Sequence, residues 1–360
     1  MKHAILYLIF ASIWIVGCDS SESPSNSNSE SPEAQTQATP ADHIQALSLQ
    51  ISKNPKDYGL LEDRSRWYFE VDSMEKAMKD IEGAIALHPT GDQLYAWKGF
   101  LYYAQEDTAT ARSAYIESIR LGSKDPEVFY QLGQLDFFQK RYEYAKSGYE
   151  EAMKLDESDP QYPFALGFMK EEQGSEAKAV QWYVKALKVD STFAKPLIRL
   201  HDLYLNFYEN EQVAMDYNAQ LLRSTPDHAL GNYQKGGFHL RKAKELLGTP
   251  ENPRFGFHLN EAVTAFTISV NSDPNFVDAW YSRGRVYFFG QTRIDEAVSD
   301  FEQTLTLNPK HAQAHFMLGS IYERNGDLKT ALSYYSEAVA HNPDSKDFQR
   351  AVKEVTAQLK

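Results

Sequence analysis

The chain has 360 residues, 42% hydrophobic and 24% charged, which are globular proportions with ample material for a core. Its formal charge of −13 opposes binding to nucleic acid or to anionic lipid headgroups, and its single cysteine excludes a disulfide framework and a thiolate metal cluster. Aromatic residues reach 13%, an excess that calls for a packing reason.

Residues 1–17 read as a leader: Met1-Lys2-His3 is a short basic start, and Ala4 to Val16 is an apolar run. At ~1.5 Å per residue that run reaches about 20 Å, short of a ~30 Å hydrocarbon core, so it fits a signal peptide rather than a membrane span. It ends in Ile15-Val16-Gly17-Cys18, which resembles the lipobox of bacterial lipoproteins, where small residues admit the peptidase and the thiol receives diacylglycerol. The resemblance implies a mature chain that starts at a lipidated Cys18, is acylated again on the freed amine and is lipid-anchored in the bacterial cell envelope. Asp19 is similar to the inner-membrane retention signal of enteric lipoproteins, but other phyla sort by other rules, so the choice of membrane stays open. Residues 18–42 are rich in Ser, Pro and Asn without one aromatic and are expected to form a disordered tether of roughly 25–30 Å. Residues 43–57 are expected to hold a solitary N-terminal helix.

From residue 58 onward the chain repeats. Ala77, Ala111, Ala145, Ala179, Ala214, Ala262, Ala297 and Ala331 recur at gaps of 34, 34, 34, 35, 48, 35 and 34 residues. A glycine precedes most of them (Gly99, Gly133, Gly167, Gly236, Gly284, Gly319), and an aromatic follows one turn later (Tyr115, Tyr149, Tyr183, Phe266, Phe301, Tyr335). Pro89, Pro226, Pro274, Pro309 and Pro343 stop the second helices. The last copy, His315 to Pro343, carries Leu318-Gly319, Tyr322, Ala331 and Tyr335 in the pattern of the tetratricopeptide repeat, and the chain resembles that family over residues 58–345. The resemblance implies an all-α, right-handed α-solenoid of about eight helical hairpins, near 58–91, 92–125, 126–159, 160–193, 194–228, 229–276, 277–311 and 312–345. Residues 346–360 are then a capping helix.

Three places depart from the pattern, beginning with the first hairpin, which has Ser65 for the glycine and Ile81 for the aromatic. The fifth hairpin has His201 for the glycine and Asn218 for the aromatic, and is where the array is expected to bend or loosen. The 48-residue gap places an insertion near Lys242–His258; its KAKELL is expected to extend a helix and its GTPENPRFGF to be loop. Such a loop is as readily functional as it is a tolerated surface insertion.

No catalytic arrangement emerges, and the chain is expected to be no enzyme and to use no cofactor or metal. His311 and His315 have metal-ligand spacing, but Ala312 replaces the glutamate of a zinc helix. The tetratricopeptide resemblance implies that the stripe one residue beyond the packing glycines faces a concave groove. Here that stripe reads Ala96, Phe100, Tyr103; Tyr130, Gln134, Phe137; Phe164, Phe168, Glu171; and Ile198, Asp202, Leu205, with Tyr233, Tyr281, Phe288 and Phe316 in later hairpins. Some family members grip C-terminal carboxylates with a Lys/Asn/Arg clamp, whose last element Lys195 and Arg199 match. Tyr130, Gln134 and Ala165 stand where the rest of the clamp needs Lys or Asn, so a full clamp is not expected. The expected function is a membrane-anchored scaffold that binds a protein or peptide in an aromatic groove made of Phe100, Tyr103, Tyr130, Gln134, Phe137, Phe164, Phe168, Lys195 and Arg199. The alternative is an envelope lipoprotein that stacks peptidoglycan or another glycan on the same aromatics.

Overall fold

The computed structural model describes residues 38–248, 252–291 and 293–360. The leader, Cys18 and the tether as far as residue 37 lie outside the described residues, as do residues 249–251 of the insertion. Among the described residues there are 18 α-helices and one π-helical turn, paired as antiparallel hairpins in an all-α, solenoid-like fold. A lone α1 (Pro40–Lys53) comes first. The hairpins are α2 (Tyr58–Glu70) with α3 (Met74–Leu87), α4 (Asp92–Ala104) with α5 (Thr108–Arg120), and α6 (Pro126–Phe138) with α7 (Tyr142–Leu155); α8 (Gln161–Glu172) and α9 (Glu176–Val189) follow in the chain. Then come α10 (Ala194–Asn206) with α11 (Glu211–Ser224), α12 (Ala229–Glu245) with α13 (Pro253–Ser272), α14 (Val277–Val286) with α15 (Ile294–Leu307), and α16 (Ala312–Arg324) with α17 (Leu328–His341). The cap, α18 (Lys346–Gln358), buries Phe348, Ala351 and Val355. The chain forms two compact units, divided after Met169 inside α8.

Packing explains the periodic residues. All eight register alanines are fully buried. A Cβ on Gly99, Gly133, Gly236, Gly284 or Gly319 would come within 2.6–2.9 Å of the ring of Tyr115, Tyr149, Phe266, Phe301 or Tyr335 respectively. Those distances are too short for real carbons, so the missing side chain is what seats the aromatic of the second helix. Each second helix that precedes a register proline ends two residues before it, as Leu87 does before Pro89.

The departures resolve physically. In the first hairpin Ser65 replaces glycine and the facing side chain shrinks to Ile81; both are fully buried. In the fifth the sizes are exchanged: His201 on α10 is 2% exposed and Asn218 on α11 is 1% exposed, so the larger group has moved to the first helix. Both helices form at full length, with 13 and 14 residues. Asn218 Nδ2 donates to Gly231 O at 2.9 Å and to Gln234 Oε1 at 3.0 Å, which ties α11 to α12.

Two boundaries are corrected. The tether was expected through residue 42, but α1 opens at Pro40, because Thr39 and Asp42 form a reciprocal capping box and proline suits the first helical position. The GTPENPRFGF stretch is not all loop. Asn252 caps α13 by accepting from Arg254 N at 3.0 Å, and Pro253, Arg254, Phe255, Gly256 and Phe257 are helical. Most of the insertion therefore lengthens helices, giving 17 residues in α12 and 20 in α13.

An arginine clamp appears in each unit. Arg64 of α2 donates from Nε and Nη2 to Asp80 of α3 at 2.6 and 2.8 Å, and from Nη1 to Ser48 of α1 at 3.0 Å. Arg283 of α14 makes the same three bonds to Asp300 of α15, at 2.8 and 2.7 Å, and to Thr267 of α13, at 3.2 Å. Ser48 thus stands where Thr267 stands, and α1 holds the place of a second helix. His43, 34 residues before Ala77, falls on the register position and stacks on Trp67 at 4.2 Å.

Candidate functional site

The first helices of the second, third and fourth hairpins put i, i+4 and i+7 positions on one face. On α6 and α8 that face is an aromatic run. The Tyr130 ring lies 5.4 Å from Tyr162 and 5.8 Å from Tyr149, while Phe168 is 5.7 Å from Phe137 and 6.4 Å from Phe164. Gln134 Nε2 donates to the Tyr130 hydroxyl at 2.7 Å. Burial raises that hydroxyl to about 12, so it stays protonated. Tyr103, Tyr130, Gln134, Phe137, Phe164 and Phe168 are all half-buried. Phe138, which the stripe omits, is 69% exposed at the end of α6. The face lies within the unit that ends at Met169.

Three expected contributors do something else. Phe100 is 7% exposed and belongs to the core with Ile81, Leu94 and Leu101; the Phe69 and Trp97 rings close over it at 5.0 and 4.9 Å. Arg199 is engaged inside the chain: its guanidinium pairs with Glu171, whose other contact is the Tyr183 hydroxyl, donating at 2.5 Å. Lys195 is exposed, with its ammonium 5.9 Å from the Phe193 ring. Lys195 and Arg199 belong to the second unit, and the aromatic run to the first. Of the later stripe residues, Phe288 is buried and Phe316 packs on Tyr335 and Phe348.

The two histidines with ligand spacing have local partners. His311 Nδ1 caps α16 by accepting from Ala314 N at 3.1 Å, and His315 Nε2 lies 3.0 Å from Pro309 O. Among the described residues no three metal-ligating side chains converge, and no helix is long and apolar enough to cross a membrane. The residues that the stripe reading passed over are acidic: Asp125, Glu127 and Asp159, at the starts of α6 and α8. Their signal was the pair of Asp-led helix starts, Asp125-Pro126-Glu127 and Asp159-Pro160-Gln161.

The family model for the tetratricopeptide repeat matches residues 287–346. Anaphase-promoting complex subunit 3 of Schizosaccharomyces pombe is 33% identical over 75 residues, which are 21% of this chain and 11% of that protein. The peroxisomal targeting signal receptor of Komagataella phaffii is 24% identical over 132 residues, 35% of this chain and 23% of that one. The chain thus spans less than a quarter of the curated relatives it matches. Among solved structures, the C-terminal part of a repeat-containing protein from Cytophaga hutchinsonii superposes with a TM-score of 0.53 at 15% identity, covering 71% of this chain and 98% of that one. Pseudomonas aeruginosa pilF superposes with a TM-score of 0.51 at 16% identity, covering 65% and 97%. These likenesses carry the fold. The register alanines and the glycine–aromatic contacts repeat along the chain the packing that the family model recognises as a tetratricopeptide repeat over residues 287–346.

Proposed function

We propose that the protein is a lipid-anchored scaffold of the bacterial cell envelope, and that the first unit binds a protein or peptide partner on its aromatic face. The observation that carries the binding half is the set of half-buried rings on one face, Tyr130 and the contacting Phe137, Phe168 and Phe164, beside the exposed Phe138. Rings in that state present apolar area at little entropic cost and desolvate readily against a partner. The anchoring half is supported by Ile15-Val16-Gly17-Cys18 and by the polar stretch that separates it from α1.

Two experiments test the two halves. A photo-crosslinking amino acid at Phe138 in living cells is expected to capture a protein, and Phe137→Ala with Phe168→Ala to reduce capture about tenfold while the variant stays folded. Full capture by that folded variant removes the face from the binding site, and capture of peptidoglycan fragments instead of protein favours the glycan alternative. Mass spectrometry of the purified protein is expected to show acyl groups on Cys18; an unmodified thiol there removes the anchor.

A further inference from the structure

At one end of the aromatic face, tyrosines meet carboxylates. Asp125 caps α6, its Oδ1 accepting from Glu127 N at 3.0 Å, and Asp159 accepts from Gln161 N at 2.8 Å where α8 begins. Capping accounts for both of these side chains. It does not account for Glu127, in the first turn of α6, whose bond is from the Gln131 amide at 2.6 Å, with Gln131 itself only 7% exposed. No described cation pairs with Asp125, Glu127 or Asp159. Burial, reinforced by the like charges of Asp125 and Asp159, raises the Glu127 carboxyl above its ordinary range, although the Gln131 amide opposes the shift. The fold therefore holds this carboxyl at a cost that the Gln131 amide and the helix N-terminus only partly offset, with no ion-pair partner among the described residues.

The tyrosines supply the second observation. Tyr115 and Tyr162 are 2% and 3% exposed, yet neither hydroxyl makes a hydrogen bond to a described residue. Both hydroxyls titrate above their ordinary range, first through burial and then through nearby carboxylates, with Glu127 acting on each of them. The Tyr130 and Tyr162 rings, 5.4 Å apart, stand beside the same acids. Hydroxyls with no partner among the described residues at the tips of buried rings, ring faces, and a carboxylate without a described counter-charge are complementary to one chemistry, an organic cation.

We infer that this end of the face receives a lysine or arginine side chain of the bound peptide, with Glu127 as its counter-charge. The rings of Tyr130 and Tyr162 flank the cation, and the hydroxyls of Tyr115 and Tyr162 accept from its N–H groups. The inference rests on the reading of this face as the partner site and names the chemistry of the partner: a cationic residue next to apolar ones.

Two end-blocked peptides serve as probes, Ser-Phe-Lys-Leu-Ser and the same sequence with norleucine for lysine, with spermidine as a free amine. Binding is measured by calorimetry to the full chain, to Glu127→Gln and to Tyr162→Phe, at low and high salt. The lysine peptide is expected to bind about tenfold more tightly than the norleucine peptide. That gap should close in Glu127→Gln, narrow in Tyr162→Phe and shrink with salt. Since Glu127→Gln removes an uncompensated charge, thermal unfolding is expected to show it at least as stable as the parent. Equal affinity for the two peptides, no binding of either, or a gap that survives Glu127→Gln overturns the inference. In that case, loss of cellular capture in Phe137→Ala with Phe168→Ala still upholds the aromatic face as the partner site. Spermidine binding more tightly than the lysine peptide also overturns the inference, assigning the site to free amines instead.

Discussion

From the packing position to the register alanine the fifth and seventh hairpins each carry one residue more than the first four and the eighth, and they absorb it differently. In the seventh, α14 passes into a π-helical turn, Tyr287–Gln291, which takes up the extra residue inside the helix. Gly284 still faces Phe301, and the packing pair is kept. In the fifth, the extra residue lengthens the turn to residues 207–210, with Glu209 at φ +51°, and the packing pair becomes His201 with Asn218. Volume at the helix crossing is thus maintained either by holding the pair and deforming the backbone, or by a relaxed turn and redistributed side chains. The repeat constrains a sum of volumes, and glycine with an aromatic is the commonest way of meeting it.

The comparison breaks most visibly at His201. Replacing it with glycine restores the pattern residue, but Asn218 is too small to fill the space. A cavity and an added helix glycine are expected to cost about 3–4 kcal/mol in chemical denaturation. If volume is what matters, Asn218→Phe added to that variant regains about half of the loss; no recovery shows that His201 acts through its polar contacts instead. A smaller effect is expected from Gly284→Ala in the seventh hairpin, where the new Cβ would lie 2.9 Å from the Phe301 ring. Overpacking should outweigh the gain in helix propensity by about 1–2 kcal/mol, and an unchanged melting temperature contradicts it.

The smallest effect is a pH dependence. Burial raises Asp300 above 3.8 despite the Arg283 guanidinium, so the folded chain holds that proton to higher pH than the unfolded chain does. The stability this contributes is present below 3.8 and lost as pH rises through the higher folded value. The pH profile of the wild type, compared with that of Asp300→Asn, is expected to show this fall on going up from 3.8, and parallel profiles refute it.

The hairpins and their stops were legible because alanine spacing, proline positions and cap residues act locally. The insertion was half legible: Gly256 suggested a loop, while Asn252-Pro253 is a helix start, and the start prevailed. Contacts between helices were not legible. Phe100 shares the stripe of Tyr130, but Phe69 and Trp97 cover it, and only folding brings Phe69 there. Arg199 matched a ligand position, yet its partner Glu171 lies 28 residues away on another helix. The acidic end of the face was hidden because Asp125 and Asp159 read as ordinary caps, and the burial of Glu127 depends on its neighbours.

The arginine clamp gives the array an uneven cooperativity. In a one-dimensional stack each repeat is coupled to the next mainly by apolar area, and the couplings are similar along the chain. The guanidinium of Arg64 or Arg283 instead fastens three successive helices at once, so its removal strands a buried aspartate and unties a hydroxyl on the helix before. Opening at α1–α3 or at α13–α15 then proceeds as one event across a hairpin boundary, and the units of local unfolding along this chain need not coincide with its repeats.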